Sequence, residues 1–247
     1  MTQINSSRVA VITGASRGLG EVLAHFMAGQ GYHLVLTARG ADGLAHLAES
    51  LGAFGVQVKT VAGDVSDPAH RRQIVEAARS LGGLDVLVNN ASDLGVSPLP
   101  ALVEYPLDEL ARVFQINVVA PLALVQDALP LLKASGGLVI NLSSDAAKGG
   151  YEGWGVYGAS KAALDLISLT LANELRADGI SVVAVDPGDM RTDMHQQAYP
   201  GEDISDRPLP DVTLPFWAWL FGQDRAALSG GRYSAQAEQW EVAHETV

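Results

Sequence analysis

"TGASRGLG", residues 13–20, follows an apolar run at Val9–Thr13 and opens into a helical pattern over 21–29. Gly14, Gly18 and Gly20 let the backbone of that turn come close to a ligand. A helix starting there offers unpaired N–H groups and the positive end of its dipole to an anion. The spacing is GxxxGxG rather than GxGxxG. A glycine-rich turn alone is a weak signal; the strand–turn–helix setting is what predicts a dinucleotide pyrophosphate. Ser16, Arg17 and Leu19 complete the turn. Arg17 lies where the helix dipole repels a cation, so it needs an anionic partner.

Working outward, short β-branched runs alternate with helical patterns. Strands are predicted at Val9–Thr13, 33–37, 56–62, 84–89, Leu138–Leu142 and 180–186, with a seventh near 232–235. Most are continuous apolar runs, as expected when both faces of a parallel sheet are covered. Amphipathic stretches lie near 18–30, 41–52, 68–81, 106–133 and 157–178. The alternation predicts an α/β fold: one doubly wound, mostly parallel seven-stranded sheet with helices on both faces. No linker or internal repeat divides 1–247, so one domain is expected. The segment 194–212, rich in proline and acid, reads as a loop or lid. The second strand ends in Thr37–Ala38–Arg39. An acid at that place would hold a ribose 2′-hydroxyl, whereas an arginine accommodates a 2′-phosphate. NADP(H) is therefore expected rather than NAD(H), with Arg39 and Arg17 as the clamp.

Composition narrows the function. The chain has 247 residues, no cysteine, and a net charge of −12 from 16 basic and 28 acidic residues. Disulfides and thiolate metal sites are excluded, and a cytoplasmic setting is expected. Nucleic acid and anionic membrane surfaces are not expected partners for so acidic a chain. MTQINSSRVAVITG has no cationic leader with a long apolar core, and LPFWAWLFG at 214–222 is too short to cross a bilayer. Histidines 25, 33, 46, 70, 195 and 244 show no ligand spacing, so packing or surface roles are expected and no metal.

"VYGASKAAL", residues 156–164, places Tyr157 and Lys161 one helical turn apart. An ammonium beside a phenol favours the phenolate, which predicts a lowered tyrosine pKa and a usable acid–base group. The plain alternative is a half-buried tyrosine whose neighbour reaches out to solvent.

Further motifs appear in order. Asp64 and Val65 follow the third strand, and "NNAS" at 89–92 supplies Asn90, Ala91 and Ser92. Asn117 stands in "INVVAP", "NLSS" ends at Ser144, and "PGDMRT" runs from Pro187 through Gly188 and Met190 to Thr192. Together with the cofactor turn and the Tyr–Lys pair, these resemble the short-chain dehydrogenase/reductase family from Arg8 to about Thr192. Ser92 replaces that family's commoner glycine. The resemblance implies a Rossmann-fold oxidoreductase with a Ser–Tyr–Lys site. Tyr157 would exchange a proton with a carbonyl or alcohol oxygen, and Ser144 would hydrogen-bond that oxygen. Lys161 would bind the nicotinamide ribose, and Asn117 would hold a relay water. Ser143 competes with Ser144, and only the family's thirteen-residue spacing to the tyrosine selects the latter. The cofactor set implied is Gly14, Ser16, Arg17, Gly18, Leu19, Gly20, Arg39, Asp64, Val65, Asn90, Ala91, Ser92, Tyr157, Lys161, Pro187, Gly188, Met190 and Thr192.

The expected substrate is a free small-molecule ketone, aldehyde or secondary alcohol. Alternatives are a 3-oxoacyl thioester of fatty-acid or polyketide type, or a dinucleotide-binding sensor without catalysis. The pocket wall is expected from Asp93–Leu94, Asp145–Ala146, Trp154, Asp189–Met190 and 194–212. The expected rim carries more acid than base, which disfavours an acidic carrier protein. A homodimer or homotetramer is expected through Val113, Ile116, Leu124, Val125, Leu164, Ile167, Leu171 and Leu175. Phe216, Trp217, Trp219 and Phe221 read as helix packing or a subunit contact.

Overall fold

In the computed structural model, residues 8–242 are described; His244 and the first seven residues of the stretch read for a leader lie outside them. Seven parallel strands form one sheet: β1 (Val9–Thr13), β2 (His33–Ala38), β3 (Val58–Ala62), β4 (Val86–Asn89), β5 (Leu138–Leu142), β6 (Ser181–Asp186) and β7 (Arg232–Ser234). Their order is β3-β2-β1-β4-β5-β6-β7, and every pairing is parallel. The chain winds outward from β1 to β3, returns to β4 beside β1, and then continues the other way. The switch between β1 and β4 opens a crevice at the strands' carboxyl ends. All the sequence motifs fall at that edge.

The helices cover both faces. α1 (Gly18–Gly29), α2 (Ala41–Ser50) and α9 (Leu214–Phe221) lie on one, with Leu23, Met27, Phe216 and Trp217 packed on Ile12, Leu34 and Ile140. On the other lie α3 (Pro68–Leu81), α5 (Ala120–Ser135) and α7 (Gly155–Leu175), the last preceded by the one-turn α6 (Ala146–Gly149). Their Ile74, Leu124, Val125 and Ala172 meet Val11, Val35 and Val139. Alternate residues of β1 thus serve opposite cores, which is why the strand is apolar throughout. The strand at the edge, β3, is half-exposed and carries polar residues. Trp217 donates Nε1–H to Thr213 Oγ1 at 2.9 Å, so its one polar atom is satisfied in the core. The 214–221 aromatics are packing residues.

Two expectations change. The segment 194–212 is not a bare loop. Thr192 Oγ1 accepts from His195 N at 3.2 Å and caps a short helix, α8 (Asp193–Ala198). The prolines that suggested a loop begin only at Pro200. Of the proposed contact residues, Val113, Ile116, Leu124, Val125 and Leu164 are buried within the chain, while Ile167, Leu171 and Leu175 are half-buried, the last two packed against the core. The exposed apolar side chains on or beside these helices include Leu102, Val103, Leu107, Val119, Leu166 and Leu169. The helix expected over 106–133 is present: α4 (Leu107–Phe114) continues through a π-helical turn at Gln115–Val119 into α5. The resulting Leu107–Ser135 helix is long and apolar enough to span a bilayer by length and composition. Its Leu124, Val125, Ala128 and Leu132 lie in the sheet's core, so its apolar face is already used.

Candidate active site

The crevice is a cavity of about 1190 Å³, larger than the ~300–1,000 Å³ usual for one small ligand. Every residue of the expected cofactor set lines it except Gly20 and Gly188. At its phosphate end the backbone does the shaping. Gly14 and Gly18 have φ of +64° and +60°, a region that favours glycine. A methyl on Gly14 would lie 2.9 Å from Ala91 Cα, and one on Gly20 would press on the Gly14 carbonyl and lie 2.7 Å from Asn90 Nδ2. The turn is held to β4 by Thr13, whose Oγ1 accepts from Asn90 N (3.0 Å) and Ala91 N (2.9 Å). Asn90 Nδ2 donates to the carbonyls of Thr13 and Gly14 at 2.9 and 3.0 Å.

At the adenine end, Arg39 is exposed and makes no hydrogen bond or ion pair among the described residues. Its charge acts on Asp64 nearby. Burial works against the Asp64 charge, but bonds from the Ser66 hydroxyl and N–H, with Arg39 and His70, hold its carboxyl below the usual value. Beneath them the buried His70 bonds Thr37 Oγ1 through Nε2 at 2.7 Å, and Gly63 leaves space for its ring. Burial keeps His70 below its ordinary pKa, so it serves as a neutral strut. Arg17 does not reach this end. It pairs with Asp193 at the start of α8 (2.8 Å, both side chains exposed), which supplies the anion that the helix dipole demands.

The chemical end centres on α7. A buried ladder pins this helix: Asn89 Nδ2 donates to Asn141 Oδ1, and Asn141 Nδ2 to Ser168 Oγ, both at 2.8 Å. Tyr157 and Lys161 are both buried, with Lys161 Nζ 5.5 Å from the Tyr157 ring centre and donating to Leu142 O at 2.7 Å. The expectation of a lowered tyrosine pKa fails here. Burial pushes Tyr157 up to about 12, with Asp186 and Asp145 adding to the rise and a bond to Ser92 opposing it. Burial also pushes Lys161 down to about 8, against the pull of Asp165. Desolvation is the largest cause of both shifts.

Asn117 is fully buried in the π-helical turn. Its Oδ1 accepts from Asp93 N (2.7 Å) and Ser92 Oγ (3.2 Å), and its Nδ2 donates to Asp93 O (2.8 Å) and Ser160 Oγ (3.0 Å). With all four positions taken by protein, the side chain orders the 92–93 turn. Ser144 Oγ donates to Asp145 Oδ1 and accepts from Ala146 N, each at 3.1 Å. Ser143 Oγ is buried without a hydrogen-bond partner, and its residue lines the cavity whereas Ser144 does not.

Several supports escaped the sequence reading because their partners are distant. Gln236 Nε2 donates to the carbonyls of Pro187 (3.0 Å) and Asp189 (2.9 Å), fixing the turn through Gly188. Arg232 bonds Asp165 at 2.7 Å and the Ser144 carbonyl at 2.7 Å. Leu94, Ala146 and Ala198 pack on Tyr157 with Leu99, Met194, Trp154 and Tyr199, and of these only Tyr157 and Met194 line the cavity. Of the expected pocket wall, Asp93, Met190 and, from 194–212, Met194, Leu209, Pro210 and Asp211 line it, whereas Leu94, Asp145, Ala146, Trp154 and Asp189 do not. The Trp154 ring stands edge-on to Tyr157 at 5.7 Å and tilted to Tyr199 at 6.2 Å. Among the described residues, no group of three His, Asp or Glu gathers to hold a metal.

A glycine cradle at a switch point, beside a buried Tyr–Lys pair, defines a nicotinamide-dependent oxidoreductase of the doubly wound class. The chain belongs to the short chain dehydrogenase family, whose pattern residues 8–203 match. Glycine betaine reductase of Emericella nidulans is 38% identical over 76% of this chain, which spans 15% of that protein's length. The rhamnolipids biosynthesis 3-oxoacyl-[acyl-carrier-protein] reductase of Pseudomonas aeruginosa is 33% identical over 91% of this chain and 88% of its own. A crystal structure from Escherichia coli CFT073, assigned as a short chain dehydrogenase and complexed with NADPH, aligns with a TM-score of 0.84. It is 30% identical and covers 93% of this chain and 97% of that one.

Proposed function

We propose that this protein is an NADP(H)-dependent oxidoreductase acting on a small-molecule ketone or aldehyde, or the matching secondary alcohol, with an apolar substituent. The observation that carries the reading is the apolar lining of the cavity that holds Tyr157, where Ile116, Leu142, Met190, Met194 and Leu209 face the open space. Leu94, Ala146, Trp154, Ala198 and Tyr199 are packed behind Tyr157 and Met194. Such a wall favours an apolar group at ~25 cal/mol per Å² buried and leaves the reacting oxygen to the few polar groups. Arg39, beside the cavity without a protein anion bound to it, supports a 2′-phosphate and hence NADP(H).

When bound, the nicotinamide supplies or accepts the hydride. In reduction, Tyr157 gives its proton to the substrate oxygen as negative charge builds there. A phenol kept protonated by burial is stored as an acid throughout the neutral range. Lys161, beside the ring, stabilises the phenolate left behind and is near enough to the cavity to hold the nicotinamide ribose. Ser144 turns its hydroxyl from Asp145 to the substrate oxygen, and the unpaired Ser143 hydroxyl offers a second donor.

The second reading, a carrier-bound 3-oxoacyl thioester, is favoured by the Pseudomonas aeruginosa relative. Charge argues against it. Arg112 is held by Asp93 and by Glu109 (2.8 Å), Arg207 by Asp206, and Arg17 by Asp193. Arg191 lines the cavity without an ion pair among the described residues but faces the charge of Asp203, and Arg39 is assigned to the 2′-phosphate. Less positive charge therefore remains at the mouth to steer an acidic carrier. Catalytic efficiency with NADPH at low salt, compared between a carrier-bound 3-oxoacyl thioester and free aromatic and aliphatic ketones, tests the choice. Free ketones are expected to be at least about tenfold better (~1.4 kcal/mol). A preference for the carrier-bound substrate promotes the second reading, and no NADPH oxidation with either supports a sensor.

We also infer a cytoplasmic homodimer or homotetramer, supported by the absence of cysteine and by exposed Leu166 and Leu169 on α7 with Leu107 on α4. Light scattering that finds only a 25.9 kDa species at micromolar concentration contradicts the oligomer.

A further inference from the structure

Arg232 stands outside the Ser–Tyr–Lys set, yet its guanidinium joins the three elements that frame the chemical end. It projects from β7, the edge strand of the sheet. Its Nε donates to Asp165 Oδ2 at 2.7 Å, on α7 one turn after Lys161. Its Nη2 donates to the Ser144 carbonyl at 2.7 Å, in the turn after β5. Nη2 also lies 3.7 Å from Asp186 Oδ2 at the end of β6, and Asp186 Oδ1 accepts from Gly188 N at 3.0 Å. The side chains of Arg232, Asp165 and Asp186 are 21%, 16% and 9% exposed, so salt and water screen them little. Asp165 Oδ1 is buried with no hydrogen-bond partner among the described residues, which leaves the bond from Arg232 to compensate this carboxylate.

We propose that Arg232 is a positioning residue for the reaction: its planar fork holds the serine turn after β5 in register with the α7 helix that carries Tyr157 and Lys161. Its charge offsets the carboxylates gathered at that junction. The inference rests on Tyr157 being the acid–base group. A guanidinium meets several acceptors at fixed angles, whereas an ammonium in its place is one point charge on a flexible stem. Arg232 does not line the cavity, so it acts through the groups it holds. Displacing a reacting group by about 1 Å can cost ~10²-fold in rate, which gives such a tie its importance. The cofactor turn has supports of its own. Gln236 Nε2 bonds the Pro187 and Asp189 carbonyls, and Ala235 N bonds the Asp186 carbonyl at 2.8 Å. Loss of Arg232 is therefore expected to reach turnover before cofactor affinity.

The charges facing Tyr157 come from three elements. Lys161 lies on its own helix, Asp145 follows β5, and Asp186 ends β6. Asp165, further along α7, acts on Lys161 and on Asp186, while Asp189 and Asp186 act on the Tyr151 phenol. Burial pushes the Asp186 carboxyl up, and the Gly188 N–H and the Arg232 charge work against that rise. Without Arg232, Asp165 and Asp186 lose the cation paired with them, and the Tyr157 phenolate becomes harder to form.

The test compares Arg232→Met, Arg232→Lys and Tyr157→Phe with the unaltered enzyme. The probes are acetophenone reduction with NADPH and 1-phenylethanol oxidation with NADP, with NADPH affinity and thermal unfolding measured for each variant. Arg232→Met is expected to lower kcat about tenfold in both directions, with KM and NADPH affinity kept within about twofold. The ionisation limb of the oxidation pH profile should move up by about half a pH unit. Arg232→Lys should restore the limb, because the charge returns, but only part of kcat, because the fork does not. If Arg232→Met does not fold, Asp165→Asn replaces it: that variant loosens the guanidinium from α7 and should lower kcat at unchanged NADPH affinity. An unmoved limb or an unchanged kcat in Arg232→Met, with Tyr157→Phe inactive, overturns the role of Arg232 and leaves the acid assignment standing. A loss confined to NADPH affinity or to thermal stability makes Arg232 a structural residue and also overturns the proposal. Activity retained in Tyr157→Phe overturns the proposal together with the reading it rests on.

Discussion

The two ends of the crevice are built from different materials. The phosphate end is backbone: a turn held by Thr13 and Asn90, with Gly14 and Gly20 packed so closely that a single methyl has no place. The substrate end is side chain: Trp154, Tyr199 and Met194 lean on Tyr157 from elements joined by exposed pairs such as Arg17–Asp193. Exposed pairs of this kind contribute ~0–1 kcal/mol. The contrast teaches that a common cofactor is recognised by main-chain geometry, which tolerates little change. An individual substrate is met by side chains that can change without disturbing the sheet.

The largest effect should come from the chemical end. Tyr157→Phe removes the proton donor and should lower turnover about 10³-fold, within the ~10²–10⁴-fold that a positioned acid contributes. Steady-state NADPH oxidation measures it, and a variant keeping most of its rate breaks the assignment of chemistry to this end.

Gly20→Ala probes the backbone end. Its methyl meets the Gly14 carbonyl and Asn90, and overpacking of this kind costs about 1–3 kcal/mol. Thermal unfolding and NADPH titration should both record the loss. Unchanged stability and affinity would show that the cradle yields as readily as the substrate end.

The buried pair gives a pH signature in the cofactor-free protein. The folded Lys161 pKa, about 8, lies below its ordinary 10.5. Between those values the unfolded chain holds a proton that the folded chain has lost, so stability rises with pH. Tyr157 acts oppositely, since its folded pKa of about 12 lies above the ordinary 10. Its contribution is present below pH 10 and is lost as pH rises through about 12. Relative to Lys161→Met, the unaltered protein should therefore gain about 1.5 kcal/mol from pH 8 to 9.5. Denaturant unfolding at the two pH values checks it, and a loss over that interval contradicts the burial of Lys161 as a strained cation.

Arg39→Asp should erase or reverse a preference for NADPH over NADH of at least about tenfold, or ~1.4 kcal/mol. Equal Michaelis constants for the two cofactors in the unaltered protein defeat that reading. Arg17 should matter less than the sequence suggests, because Asp193 already holds it.

The strands and the cofactor turn were legible because they depend on local pattern: apolar runs of one strand's length, and glycines between a strand and a helix. Tyr157 and Lys161 were legible because helical spacing alone brings them together. What sequence did not reveal depends on distant residues or on water. Arg17 and Asp193 are 176 positions apart, and the Arg232 guanidinium reaches back 88 positions to the Ser144 carbonyl. The direction of the Tyr157 shift depends on how much solvent the folded chain removes, which spacing does not report. Ser143 and Ser144 differ only in which way one residue faces after β5, so family spacing and the ligand-free geometry favour different hydroxyls.

The central claim is that cofactor binding and proton transfer are separable between the two ends, and NADPH titration of Tyr157→Phe tests it most directly. Fluorescence titration should give a dissociation constant within about twofold of the unaltered protein, under ~0.5 kcal/mol, although turnover is lost. A tenfold weaker constant would contradict the claim, because it would make the acid part of the cofactor cradle.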